Sequence, residues 1–422
     1  MDIKDDTWFK DLKRKRVSGP EINGNSYRNY GESTKCVHAG QYDDPNTNAI
    51  GTPIFQNSTF YLNDSVYKAI EEGSTRDSFI YSRYGNPSQW AVQEKISSIE
   101  NAESSIVFSS GMAAISSTIL ALIEKGAHIV TSRDLYGGTY NLLYEDLQKY
   151  GISVSFVDMT NIKEIEESIN PKTKLLYFES LSNPLLKFAP IPSLVKLAKE
   201  NGCRLVIDNT FLTPYNLKVL DLGVDIVINS ATKYLGGHSD LIAGTISGSR
   251  KLIDQIWPQM LKNGGSLDPH ACFLLERSLK TLSLRMRTHN DNALELAHFF
   301  QNREEIKKVY YPGMDSHPQY DLINHLTDGK FSGMISFEII GGDKMALRLL
   351  KELKLAKEAT SLGGVESLIS LPFNTSQASL TKNQKKSIGI NEGLIRLSVG
   401  IEDIEDLKYD FEQAFNKIFN NN

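Results

Sequence analysis

Cysteine is scarce, with three residues in a chain of 422. Cys36, Cys203 and Cys272 show no CxxC spacing and cannot build a disulfide framework, so a reducing compartment is expected. Positive charge is not in excess either: 46 Lys and Arg face 51 Asp and Glu, for a formal net charge of −5. Nucleic acids and anionic membranes require concentrated positive charge, so neither is expected as a partner. No apolar run approaches the roughly 20 residues that a membrane-spanning helix needs. The opening segment, MDIKDDTWFKDLKRKR, lacks the apolar centre of a secretory signal, and its four aspartates speak against an organellar transit peptide. The expected location is therefore cytoplasmic. No GxGxxG follows an apolar run, no GxxxxGK[ST] occurs, and the eight histidines lack metal-ligand spacing, so no metal site is expected.

What remains is an ordinary globular composition, 40% hydrophobic and 23% charged, long enough for two or three domains with their own cores. The first stretch, to about Asn57, is rich in Gly, Asn, Asp and Pro and reads as an extended arm, with Lys10 to Arg16 as a solvated basic patch. From Ile106 to about Ser247 short apolar runs alternate with helical segments. The runs are Ile106–Phe108, His128–Thr131, Val154–Val157, Leu175–Phe178, Arg204–Ile207 and Asp225–Ile228. The helical segments include Met112–Ile123, Thr139–Tyr150 and Pro192–Lys199. This alternation predicts crossover connections and a mostly parallel, doubly wound α/β sheet, which carries ligands at the carboxyl ends of its strands. After about Lys280 the pattern becomes that of a smaller α+β domain. It contains a polar helix (Ser283–Phe300), strands at Phe331–Ile340 and Gly393–Val399, and helices at Asp343–Leu353 and Ile404–Phe419. The expected divisions are an N-terminal arm and inter-subunit segment (1–85), a ligand-binding domain (86–284) and a C-terminal α+β domain (285–422).

The informative residues stand where the apolar runs stop. One run ends in Asp208-Asn209-Thr210. The next ends in Asn229-Ser230-Ala231-Thr232-Lys233-Tyr234. An Asp and a Lys at such ends form an ion pair at the sheet rim or line one pocket; Ser230 and Thr232, whose hydroxyls suit a phosphate, favour the pocket. Ser109-Ser110-Gly111-Met112 follows a strand and opens a helix, where exposed N–H groups and the positive helix end attract an anion. The run Leu175–Phe178 leads to Asn183-Pro184, and another run leads to Asp134-Leu135-Tyr136-Gly137-Gly138, where the glycines let an aromatic ring approach a flat ligand. A flat, anionic aldehyde accounts for all of these together. Lysine condenses with the aldehyde, a carboxylate holds a pyridinium proton, hydroxyls and a helix end take a phosphate, and an aromatic ring stacks. That is pyridoxal 5'-phosphate chemistry.

From about Thr34 onward the sequence resembles the cystathionine γ-synthase-like family of Cys/Met metabolism pyridoxal phosphate enzymes. Ser230-Ala231-Thr232-Lys233-Tyr234-Leu235-Gly236-Gly237-His238 is similar to that family's cofactor-lysine signature. Tyr81 to Pro87, Ser109 to Ala114, Asp208 to Thr210, Ser361 to Gly364 and Arg396 to Gly400 match in the same order. The resemblance implies a fold-type I enzyme with Lys233 as the cofactor-binding lysine and Asp208, beside Thr210, at the pyridine nitrogen. It makes Tyr136 the stacking ring and the acid/base for the leaving group. Gly111, Met112, Ser230 and Thr232 would hold the phosphate, and Asn183 would lie near the ring oxygen. Arg396, with the backbone around Ser361, would clamp the substrate α-carboxylate, a job suited to its planar fork. Tyr81 and Arg83 would reach the phosphate of a neighbouring subunit, which implies a homo-oligomer, a tetramer built as a dimer of dimers.

Within such a family the expected activity is a C–S lyase of sulfur amino acids, of the cystathionine γ-lyase type. The alternatives are γ-replacement, as in cystathionine γ-synthases and O-acylhomoserine sulfhydrylases, then methionine γ-lyase or cystathionine β-lyase. Gly138, where methionine γ-lyases usually carry Cys, counts against that activity. Thr360 replaces the Glu that usually receives the distal amine of cystathionine, and Thr375-Ser376-Gln377-Ala378 departs from the usual Met-Thr-His-Ala. An inert scaffold of the same fold is the rival of a different class; the presence of Lys233, Asp208, Tyr136 and Arg396 together argues against it.

Overall fold

The computed structural model describes residues 27, 29–42, 44, 47–374 and 389–419. The Lys10–Arg16 patch lies outside them. The apolar runs are strands: β1 (Ser104–Phe108), β2 (His128–Ser132), β3 (Ser153–Val157), β4 (Thr173–Glu179), β5 (Arg204–Asp208) and β6 (Ile226–Asn229). A further strand, β7 (Gly244–Gly248), completes a sheet ordered β1-β7-β6-β5-β4-β2-β3. The pairs β2–β3, β2–β4 and β4–β5 are parallel, and β1–β7 is antiparallel. The sheet is thus mixed, with helices between its parallel strands, as expected of a doubly wound α/β fold.

β7 was not visible as an apolar run because its sequence, Gly-Thr-Ile-Ser-Gly, holds one large apolar residue, yet all five positions are buried. Glycine is needed here for close approach: a Cβ on Gly244 would meet the Ser110 carbonyl oxygen at 2.2 Å. The helical segment expected at Thr139–Tyr150 is irregular. It begins as an α-turn (Gly137–Asn141), continues as a π-turn (Leu142–Asp146) and tightens to a 3₁₀ turn (Leu147–Tyr150).

The second sheet is built from β8 (Ile306–Tyr310), β9 (Met334–Ile339), β10 (Lys357–Glu358), β11 (Leu368–Ser370) and β12 (Leu394–Ser398), ordered β10-β11-β12-β9-β8. β12 runs antiparallel to both β9 and β11, which places Arg396 opposite Ser336 and Ser370.

The chain forms two compact units. The first comprises residues up to Ala121, Ile228–Gly236 and Asp240–Ser283; the second comprises Leu122–Val227, Gly237–Ser239 and residues from Leu284 onward. In the first, the helix Pro87–Ile99 starts where the Asn86 side chain accepts from the Ser88 N–H, with Pro87 at its first position. Its Lys95 is fully buried, and Nζ donates to the carbonyls of Cys36 and Val37 at 3.0 and 3.2 Å.

In the second unit, the helix Ile404–Phe419 buries Leu407, Phe411, Ala414, Phe415 and Ile418, the one-sided spacing of an amphipathic helix. Phe300 meets Phe337 at 4.5 Å and Phe411 at 4.8 Å between ring centres. The helix Leu282–Gln301 also holds the end of β12. His289 Nδ1 lies 2.7 Å from the Val399 carbonyl oxygen, and Asn292 donates to the carbonyls of Gly400 and Glu402 at 3.2 and 2.8 Å.

Burial brings the His289 imidazole down from 6.5 to about 4; its bond to Val399 opposes this, and the nearby Arg285 adds to it. Between pH 6.5 and 4 the unfolded chain therefore takes up the proton before the native one does, and native stability falls as pH drops through that window. Urea unfolding of the wild type should lose about 2 kcal/mol more than His289→Gln between pH 7 and pH 5. Parallel losses in the two proteins would show that His289 is not the linked group.

Candidate active site

Within the first unit, Gly111 opens the helix Gly111–Leu122 directly after β1 and its Ser109-Ser110 turn. An added Cβ at Gly111 would stand 2.9 Å from Ser230 Cβ and 3.0 Å from Ser230 Oγ. The helix start and the Ser230 hydroxyl therefore face each other across a gap that no side chain fits. Met112 is the second residue of that helix, partly buried. Such a helix start, with its unpaired N–H groups and positive end, makes a cradle suited to phosphate.

Lys233 follows in the turn after β6, where its own N–H donates to the Ser230 carbonyl at 3.1 Å. Thr232 is placed differently from a free phosphate ligand. Its hydroxyl accepts from the Ala243 N–H at 3.0 Å and donates to the Ala243 carbonyl at 3.2 Å, so its proton is committed to the backbone. Arg83 donates to the Leu261 carbonyl at 2.9 Å, and its guanidinium lies over the rings of Tyr84 and Tyr81 at 5.0 and 5.9 Å. Tyr81 is exposed.

Within the second unit, Asp208 ends β5 in register with Glu179 at the end of β4. Asp208 is partly buried. Its Oδ1 accepts from the Thr210 N–H at 3.0 Å and the Thr210 hydroxyl at 2.5 Å, and its Oδ2 from the Tyr177 hydroxyl at 3.4 Å. Desolvation pushes the Asp208 carboxyl up, and the Thr210 and Tyr177 bonds pull it partly back. These hydrogen-bond partners are all neutral. A desolvated carboxyl held by neutral donors fits a cationic ring nitrogen, the group that pyridoxal phosphate presents. The cradle at Gly111 and Ser230 fits its phosphate.

Tyr136 caps the short helix Gly137–Asn141 with its ring half exposed, and its backbone N–H donates to Glu179 Oε1 at 2.7 Å. Asn183, Ser361 and Arg396 do come together. Arg396 is 6% exposed, and it donates to Asn183 Oδ1 at 3.3 Å and to the Ser361 carbonyl at 2.9 Å. Ser361 takes φ +75°, a left-handed backbone that side chains disfavour, and this turns its carbonyl onto the guanidinium. The Asn183 loop is tied to the same sheet where the Ser336 hydroxyl donates to the Pro184 carbonyl at 2.6 Å. A planar guanidinium fork held in this way suits bidentate recognition of a carboxylate.

Sequence reasoning gave Glu179 and Tyr177 no role. Their contacts depend on the parallel register of β4 against β5, and the available signal was the polar residue closing each run. Gln377 and its neighbours lie outside the described residues.

A family model described as Cys/Met metabolism PLP-dependent enzyme matches residues 33–416, and the chain belongs to that family. It is a pyridoxal phosphate-dependent enzyme. The chain is 41% identical over 399 residues to an L-methionine gamma-lyase of Fusobacterium nucleatum subsp. nucleatum, across 92% of this chain and 98% of that protein. It is 41% identical to the cystathionine gamma-lyase of Bacillus subtilis (strain 168), covering 92% and 100%, respectively. To a cystathionine beta-lyase of Lactococcus lactis subsp. cremoris it is 41% identical, covering 91% and 98%. The fold matches the crystal structure of a cystathionine gamma-lyase from Lactobacillus plantarum complexed with L-serine. There the TM-score is 0.86 at 36% identity, over 92% of this chain and 99% of that one.

If Gly111 is kept small by the cradle, Gly111→Ala should weaken pyridoxal phosphate binding about tenfold or more, read by fluorescence titration of the cofactor-free protein. Wild-type affinity would remove the cradle from the site.

Proposed function

We propose that the protein is a C–S lyase of sulfur amino-acid metabolism that cleaves cystathionine by γ-elimination. The observation that carries the amino-acid part of this reading is the Arg396 guanidinium, buried and braced by Asn183 and Ser361. The sulfur chemistry is supported by relatives named cystathionine gamma-lyase, cystathionine beta-lyase and L-methionine gamma-lyase. Pyridoxal phosphate, when bound, supplies the electron sink that makes the Cα proton of an amino acid acidic.

In this reading Lys233 binds the cofactor aldehyde and Asp208, fixed by Thr210, faces its ring nitrogen. Gly111, Met112 and Ser230 hold the phosphate, Thr232 fixes the turn beside it through Ala243, and Asn183 lies near the ring oxygen. Arg396 and the Ser361 backbone fix the substrate carboxylate, and Lys233 Nζ is the base for the Cα proton. Displaced from the aldehyde by the substrate amine, Lys233 would take that proton, pass it to the bound cofactor, and as a free amine again take a second one from Cβ, while the Tyr136 hydroxyl supplies a proton to the departing sulfur. Elimination from Cγ needs the Cβ proton; elimination from Cβ does not.

Tyr81 and Arg83 serve the site of a neighbouring subunit, in a cytoplasmic homotetramer built as a dimer of dimers. The exposed apolar residues Ile50, Tyr61, Leu62, Tyr67, Ile70 and Tyr81, all in the first unit, support association. A second reading, methionine γ-lyase, has the same support in identity, 41% to the Fusobacterium protein, and Gly138 counts against it.

Product analysis of the cofactor-loaded enzyme decides between these readings. With L-cystathionine and water we expect cysteine, 2-oxobutyrate and ammonia. Pyruvate with homocysteine would establish β-cleavage instead. Inertness toward cystathionine with release of methanethiol from L-methionine would establish the second reading. Rapid turnover of an O-acylhomoserine with cysteine, and no lyase products, would move the protein to the transferases.

For the shared site, Arg83→Ala and Lys233→Ala proteins should each be inactive, and co-refolded hybrids should regain part of the activity. Inactive hybrids would sink the subunit-sharing proposal.

A further inference from the structure

Glu179 is a carboxyl that the reaction does not use, and it stands where a carboxyl is hardest to keep. It is 6% exposed and in register with Asp208 on the adjacent parallel strand. Two desolvated carboxyl groups at partner positions do not both ionise without strong mutual repulsion. Their surroundings separate them. Asp208 accepts from the Thr210 N–H, the Thr210 hydroxyl and the Tyr177 hydroxyl, all of which favour its charged form. Glu179 accepts from the Tyr136 N–H. The other acidic groups near it are Asp134 and Tyr177. Asp134 is engaged by Lys187 at 2.6 Å. Burial and the Asp208 charge together push the Glu179 carboxyl well above the usual range. When two neighbouring carboxyls are driven apart in this way, one keeps the charge and the other the proton.

The bond from Tyr136 to Glu179 gives this a purpose. The Tyr136 ring is 49% exposed, so packing within the described chain does not fix it; its backbone is fixed by Glu179. We propose that Glu179 is a positioning residue, an uncharged acid that anchors the Tyr136 backbone and leaves the negative charge of the carboxyl pair on Asp208. The inference rests on the reading in which Tyr136 stacks on the cofactor and Asp208 faces its ring nitrogen.

The test compares wild type, E179Q, E179L and Y136A in two measurements. One is pyridoxal phosphate affinity by fluorescence titration, and the other is circular dichroism in the visible band of the bound cofactor. Gln is neutral and keeps an acceptor for the Tyr136 N–H. E179Q should therefore bind within about twofold of wild type and keep the dichroic band, while E179L should bind about tenfold more weakly. The E179L band should change in the same sense as that of Y136A. An E179Q protein as weak as E179L would overturn the neutral-acid role. Wild-type behaviour of E179L, with Y136A altered, would overturn the anchoring role alone. Wild-type bands from both E179L and Y136A would overturn the stacking reading and the inference with it. If far-ultraviolet dichroism shows E179L unfolded, E179Q decides: retained affinity and band support the role, and their loss overturns it.

Discussion

Two carboxyl groups face each other at the ends of β4 and β5, Glu179 and Asp208, on strands whose preceding residues are buried on both faces. Parallel strands hydrogen-bond their neighbours along their length, so polar side chains appear where the ladder stops, and there the local dielectric is still low. A carboxylate held at such a place is an unstable arrangement in itself. Thr210 and Tyr177 make it tolerable with three donors, and none of them brings positive charge. The hydrogen bonds to Asp208 in the second unit thus suit a cationic ligand. In the proposed reading a pyridinium nitrogen meets that requirement.

The proposed substrate-binding side follows the same logic with the sign reversed. Arg396 is buried on the central β12, where an unpaired guanidinium would be costly. Its bonds to Asn183 and the Ser361 carbonyl hold the fork in one orientation. The strained backbone of Ser361 and the His289 and Asn292 bonds to the end of β12 are the structural supports of that orientation. Both groups are therefore held in place by hydrogen bonds before a ligand arrives, so binding requires little rearrangement.

Much of this was legible in the sequence, for reasons that differ from residue to residue. Buried parallel strands read as apolar runs, so β1 to β6 and the residues that close them stood out. Asp208 and Lys233 stood out by position, and their neighbours Ser230 and Thr232 together with the family resemblance pointed to their roles. β7 could not, because a strand that admits a close backbone approach is made of small residues and shows no apolar run. Glu179 was visible as a strand end, but its partnership with Asp208 is a matter of register between strands 29 residues apart in sequence, which one chain does not print. The Arg396–Asn183 contact joins residues separated by 213 positions, and the resemblance to a family, not periodicity, brought Arg396 forward. For Thr232, composition suggested a hydroxyl for phosphate, whereas the fold uses that hydroxyl to tie down Ala243.

The central claim is that cofactor binding relieves an uncompensated negative charge on Asp208. Thermal unfolding of wild type and Asp208→Asn, each with and without pyridoxal phosphate, tests it most directly. The amide keeps the acceptor for Thr210 and removes the charge. The account predicts that cofactor-free Asp208→Asn unfolds at the same temperature as cofactor-free wild type or higher, and gains little when the cofactor is added, while wild type gains strongly. A gain from the cofactor as large in Asp208→Asn as in wild type would contradict it.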